Sequence, residues 1–391
     1  MNRTRSAVLV GTAVLALMVP AASQAAQPSA PEPGDHYTPL VGTLLSEPHP
    51  VAAADGRVHL DYEFLLLNPL PQPITVSRLE VVDADRRNRV LDDLSGPRLE
   101  SVLSGFVGTG TAVIGGGETR RVILDVSLPA TTRPRAIVHR ITVADVPLPV
   151  LANPFLTAPT AVSAERAVVL GAPLRGPRWI DVAGCCAPAG HRISVEPING
   201  ALHIGQRFAV DLTRMWPDGR LFHGAPDQVT SFAAYGQPVL AAAAGVVVAS
   251  QDGQPDQVPF DPTPPGEPKT ILGNSVVVDI GHGRFVGYAH LKPGSVTVAA
   301  GDRVREGRQL GLVGNTGNSD FPHMHFQVMD TPSFLASSGL PFVLRSFDSP
   351  GSVPPIDQID VTQPIPVSPI VAGHFDRVIP MDLQVMDFPV R

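Results

Sequence analysis

Gly236-Gln-Pro-Val239, followed by Gly245-Val-Val247, and Gly301-Asp-Arg-Val304, followed by Gly307 and Gly311-Leu-Val313, are two runs of one pattern. Each has a glycine turn, a valine pointing inward, then a glycine before a buried strand. Paired hammerheads of this kind build a folded-over β-barrel, or barrel-sandwich hybrid. The surrounding sequence agrees with an all-β reading. Strands are expected at Val168–Leu170, Ile193–Val195, Ala209–Leu212, Val239–Ala249, Val276–Ile280, Phe285–His290, Val296–Val298, Leu310–Val313 and His323–Met329. Residues 250–270, rich in Pro, Asp, Gly and Gln, read as a long exposed loop between two of them.

Further toward the N-terminus, strands are expected at Leu60–Leu67 and Ile74–Val82. Thr111–Ile114 and Arg121–Leu128 flank Gly115-Gly116-Gly117, a hairpin signal, and Ile137–Val143 closes the set. No run with a helical period stands out. This spacing suggests an immunoglobulin-like β-sandwich over residues 40–146. Its polar strand residues His59, Asp61, Glu63 and His139 read as solvent-facing. Residues 147–165 are a Pro-rich linker, 166–350 form the second domain, and 351–391 form a C-terminal extension that could pack on it. Residues 1–25 have the form of a signal peptide. Arg3 and Arg5 precede the apolar run Ala7–Val19, and Ser23-Gln24-Ala25 offers a small-x-small cleavage site. Residues 26–39, rich in Pro and Ala, are expected to be mobile. The protein is thus expected to be exported, to the periplasm or the medium, with no mature transmembrane segment.

Composition narrows the function. Of 391 residues, 43% are hydrophobic and 17% charged, which allows a sizeable core. The formal net charge is −7, which speaks against a general nucleic-acid binder. The two cysteines, Cys185 and Cys186, are adjacent, so a disulfide scaffold and a four-cysteine zinc knot are excluded. They could form a vicinal disulfide or pack as thiols. The hammerhead pattern also occurs in biotinyl and lipoyl carriers, but neither copy places a lysine at its hairpin tip.

Histidines carry the chemistry: seven of twelve lie between His191 and His325. His323-Met-His325 puts two imidazoles on one face of a strand, because side chains alternate with period two. Such a pair suits zinc, or one ligand plus an acid–base group. His290 ends an apolar strand that also carries Tyr288, and Asp211 follows Phe208-Ala209-Val210. Each alone is a weak signal.

In order, Asp211, Tyr235-Gly-Gln-Pro-Val-Leu-Ala, Tyr288-Ala-His290-Leu, Gly301-Asp-x-Val-x-x-Gly307, Gly314-Asn-Thr-Gly317-Asn-Ser and Pro322-His-Met-His-Phe326 form a specific set. Over residues 190–345 it resembles the lysostaphin/LytM-type, or β-lytic, zinc metallopeptidases. The resemblance implies one zinc per chain, with Asp211 and His325 as two of its ligands. It implies that His290 and His323 act as acid–base and oxyanion-stabilising groups. It also implies peptide bonds of bacterial peptidoglycan as substrate. Zinc with an open coordination position fits that chemistry, since it acidifies water and polarises a carbonyl.

One position departs from the family pattern. The ligand four residues before the Asp is replaced by Arg207, which has no lone pair to offer a metal. Two outcomes are open. His203, His191 or His223 could serve as third ligand; His203 would need a bend, being about 25 Å from Asp211 along an ideal strand. Alternatively, Arg207 pairs with Asp211 and fills an empty site. The first outcome gives an exported zinc endopeptidase. The second gives a degenerate envelope protein that binds or regulates cell-wall hydrolases, with cell-wall amidases as possible partners.

Overall fold

The strand Arg57–Leu67 shows how the molecule is layered, because both of its faces are covered. Leu60, Tyr62, Phe64 and Leu66 enter one hydrophobic core with Val76, Leu79, Val81 and Ile141 of a facing sheet. The residues between them, His59, Asp61 and Glu63, are equally buried, on the side where Arg192 and Cys185 of the C-terminal part lie. The computed structural model describes residues 35–104, 110–186, 190–263, 266–355 and 358–390. The expected signal peptide and residues 26–34 lie outside these. His36–Arg391 forms one compact unit.

The N-terminal part is a pair of antiparallel sheets. The first follows the order Val41–Leu44, Arg57–Leu67, Thr119–Pro129, Leu103–Ser104, with His49–Ala52 also on Arg57–Leu67. The second follows Phe155–Leu156, Ala136–Val143, Ile74–Asp83, Val90–Ser95. Two expectations fail here. The glycine turn does not close a hairpin, because Val113–Ile114 pairs with Ile74–Asp83 while Thr119–Pro129 pairs with Arg57–Leu67. The turn instead passes the chain between sheets, with Gly117 at φ +75°, a conformation that costs a side chain dearly. His59, Asp61, Glu63 and His139 are buried rather than solvent-facing. The reason is non-local: a second layer covers the outer face of Arg57–Leu67. His139 points into the sandwich core, 2.9 Å from the Tyr62 hydroxyl. Residues 147–165 also contribute Phe155–Leu156 and Thr160–Ala161 to the second sheet.

The C-terminal part is built on an eleven-stranded sheet. Its centre runs Gly176–Asp181, Val210–Arg214, Met324–Met329, Phe285–Leu291, Asn274–Asp279, Gly245–Gln251, Arg303–Val304. Residues 351–391 join it through Gly373–Val378 and Gln384–Phe388. The pairing is an open path and does not close into a barrel among the described strands. The two hammerhead runs pair reciprocally. Pro238–Leu240 lies against Gln309–Leu312, and Gly245–Gln251 against Arg303–Val304. Gly245 is required there, since a Cβ would sit 2.2 Å from the Asp279 carbonyl oxygen. Ile193–Val195 and Val296–Val298 are not strands. Ile193 instead ends a 3-10 turn, Gly190–Ile193. A short helix, Gly96–Val102, was also not expected. Cys185 and Cys186 are joined as a vicinal disulfide, both residues buried in the C-terminal core.

Candidate metal centre

Three neighbouring strands carry the site. Asp211 on Val210–Arg214 stands directly opposite His325 on Met324–Met329, which in turn has Ala289 opposite it on Phe285–Leu291. Side chains directly across an antiparallel pair share a face, so the carboxylate meets the imidazole. His325 Nδ1 is 3.0 Å from Asp211 Oδ1, and His323, two residues earlier, has Nε2 at 3.5 Å from the same oxygen. The His290 ring lies 4.8 Å from that of His323 and 5.8 Å from that of His325, centre to centre. The strand end bends to deliver it: His290 has φ +59°, a left-handed conformation rare for a residue with a side chain.

His191 completes the group. It comes from the 3-10 turn Gly190–Ile193 and puts Nε2 3.2 Å from Asp211 Oδ2. The donor atoms of His191, Asp211 and His325 lie within 4.8 Å of one another. His203 is instead on the Ala201–His203 strand, opposite Glu196. His223 lies at the surface, 3.3 Å from Asp218. Arg207 is buried, but its Nε donates to Glu63 Oε2 at 3.0 Å, not to Asp211. Of the two outcomes left open by the sequence, the Arg207–Asp211 pair is therefore not the one found.

The outer nitrogen of each ring fixes where its lone pair points. Gln327 Nε2 donates to the carbonyls of Gly205 (3.0 Å) and Phe334 (3.1 Å). Its Oε1 is thus an acceptor, and His325 Nε2 donates to it at 2.6 Å. The lone pair of His325 is then on Nδ1, toward Asp211. His191 Nδ1 donates to the Ala183 carbonyl at 2.8 Å, leaving Nε2 as the free acceptor. His323 Nδ1 and His290 Nδ1 donate to the Phe321 and Thr316 carbonyls, each at 2.7 Å. Neutral imidazoles so oriented aim acceptor atoms at a carboxylate. Acceptors converging in this way call for a cation or for hydrogen-bond donors between them. Two imidazoles, one carboxylate and a supporting shell of amide and carbonyl acceptors match a zinc site with an open position.

Electrostatics follow from the same contacts. Burial pushes Asp211 up, but the imidazoles of His191 and His323 outweigh it and hold the carboxyl well below its usual range. Burial lowers His191 and His323, and the Asp211 charge reverses both shifts to net increases. His290 is held well below the usual imidazole value by burial and by the nearby His323 and His325. Gln327 is the side chain of this cluster that sequence reading missed; its trace in the sequence is an amide two residues beyond His325, on the same strand face, and its burial appears only in the structure.

Comparison with known proteins reaches the same region. Residues 227–335 match the model of Peptidase family M23, a span that contains His290, His323 and His325 but starts beyond His191 and Asp211. The peptidoglycan DD-endopeptidase ShyA of Vibrio cholerae is 32% identical over 106 residues, which is 27% of this chain. The chain spans only a fifth, 20%, of that relative's length. Among solved structures, the lysostaphin catalytic domain of Staphylococcus simulans is 21% identical, covering 42% of this chain and 88% of its own, with a TM-score of 0.23. A zinc-containing peptidase from Vibrio cholerae is 14% identical, covering 72% and 80%, with a TM-score of 0.25.

Proposed function

We propose, taking the M23 match of residues 227–335 as premise, that this chain is an exported zinc metalloendopeptidase that hydrolyses peptide bonds of bacterial peptidoglycan. The observation that carries the reading is the convergence of His191 Nε2, Asp211 and His325 Nδ1 with their outer nitrogens already occupied. His191, Asp211 and His325 would hold the ion. Zinc, when bound, supplies Lewis acidity toward a peptide carbonyl and toward water. His290 and His323, each with Nδ1 donating to a backbone carbonyl and its other ring nitrogen free, would take up a proton and pass one to a developing oxyanion or a departing amine.

Export rests on the form of residues 1–25, and placement in the periplasm or the medium follows from it. Among the described residues no helix is long and apolar enough to cross a membrane. The regulatory alternative, a degenerate protein that binds or regulates cell-wall hydrolases, drew on Arg207 and on the lack of a clear third ligand; the bond from Arg207 to Glu63 and the place of His191 beside Asp211 weigh against it.

The test is zinc content of the purified protein by elemental mass spectrometry beside release of peptides from purified cross-linked peptidoglycan. About one zinc per chain, with hydrolysis abolished by a chelator and restored by zinc, is expected. Absence of zinc after reconstitution, or loaded protein that leaves the cross-links intact, refutes the reading.

A further inference from the structure

The sandwich part reaches the metal centre through one turn. His191 belongs to Gly190–Ile193, and the residue after it, Arg192, leaves the C-terminal part altogether. The Arg192 guanidinium is buried in contact with Glu63, lies 3.3 Å from Asp61, and donates to the Leu124 carbonyl at 2.8 Å. Arg121 of the same sheet donates to the Ile193 carbonyl at 3.0 Å. Both residues that follow His191 are thus gripped by Arg57–Leu67 and Thr119–Pro129, not by the strands that carry Asp211 and His325. Glu63 holds a second arginine through its other oxygen. That arginine is Arg207, in the turn that leads into Val210–Arg214 and Asp211.

We propose that Glu63 is a positioning residue for the metal centre: by binding Arg192 and Arg207 together it sets His191 against Asp211, so the third ligand is in place only when the sandwich is docked. This rests on the reading of His191, Asp211 and His325 as zinc ligands. Asp211 and His325 are fixed by ladder pairing on both sides. His191 has only a four-residue turn, with its ring held to the Ala183 and Ala209 carbonyls. The arginine grip supplies the missing restraint. It also gives the position four before Asp211 a new task, joining the two parts instead of ligating.

The test is a double-mutant cycle on the full chain, with zinc affinity read by competition against a chromogenic chelator and folding by near-ultraviolet circular dichroism. Glu63→Gln should weaken zinc binding about 10–100-fold, as loss of outer-shell partners does. His191→Ala should weaken it at least as much. The combined variant should match His191→Ala to within about twofold, because both changes remove one interaction. Arg192→Lys keeps the buried charge and loses only the planar fork, so it carries the same cycle if Glu63→Gln fails to fold. Unchanged affinity in a folded variant, or losses that multiply, overturns the proposal. Zinc binding by the parent that survives His191→Ala overturns it while leaving a metalloprotein. A parent that binds no zinc overturns the functional reading and this proposal together.

Discussion

Two buried polar clusters lie side by side in this protein, joined at the His191–Arg192 peptide, and they are built on opposite plans. In one, the carboxyls of Asp61 and Glu63 face the guanidiniums of Arg192 and Arg207, so donors meet acceptors within the cluster. In the other, three imidazoles turn toward the single carboxylate of Asp211 with their outer nitrogens already engaged. The first balances its charge internally, two carboxyls against two guanidiniums, although Asp61 Oδ1, Arg192 Nε and Arg207 Nη2 are buried without a hydrogen-bond partner. The second is an excess of acceptors that a cation would complete. Burial alone does not separate a structural cluster from a binding site; the donor–acceptor balance does. Within the first cluster the two acids also differ. Burial raises Asp61 to about 7 despite Arg192, whereas Arg207 and Arg192 overcome burial and hold Glu63 low. Glu63 is therefore the lasting anion of the group.

Substitutions in each cluster test these opposite plans. Asp211→Ala should have the largest effect, taking zinc from about one per chain to none and peptide release to background. Retention of zinc by that variant would show that the imidazoles suffice. Glu63→Ala leaves two buried guanidiniums facing the single carboxyl of Asp61, and should destabilise the fold by about 3–5 kcal/mol in urea unfolding. A loss below about 1 kcal/mol would mean that the charge cluster is hydrated and not a closed unit.

His139 tests a buried polar group that is satisfied while neutral. Burial lowers it to about 4 from 6.5. Its unfolded form takes up a proton first as the solution is acidified. Its share of stability is present above pH 6.5 and lost as pH falls toward 4, by up to about 3 kcal/mol. Asp61, raised by burial, works in the opposite sense over the same range. The measurement is accordingly the difference between the parent and His139→Gln at each pH, and a difference independent of pH would refute the assignment.

Gln327→Leu should weaken zinc about 10–100-fold without unfolding the chain, because His325 loses the acceptor that fixes its tautomer. Equal affinity would show that the strand alone orients the ring. The smallest effect belongs to an exposed pair: Arg345→Ala, which breaks the two bonds to Glu306, should change stability by less than about 1 kcal/mol.

Much of this was legible in the sequence, and the parts that were not share one cause. Period-two alternation placed His323 and His325 on one face, and the ordered motifs marked Asp211 and His290. The glycine–valine echo anticipated two hammerhead units folded over each other, and strands of the two runs do pair reciprocally, without closing a barrel among the described strands. The same alternation misread His59, Asp61 and Glu63. A strand's pattern shows that it has two faces, but not that a distant segment will cover the second. The glycine turn likewise marked a reversal without saying to which sheet each arm belonged.

Residues whose partners are set by local geometry were legible along the chain: strand faces, turns, and a histidine pair with a carboxylate to meet it. Which of His191, His203 and His223 joins them, and where Arg207 goes, came from packing alone. Those outcomes depend on contacts across 20 residues for His191 and Asp211 and 144 for Arg207 and Glu63. Chain spacing carries no information about such contacts, because a turn can point its side chain anywhere until packing fixes it. Here the packing is that of the sandwich against the sheet, and the third imidazole takes its place from it.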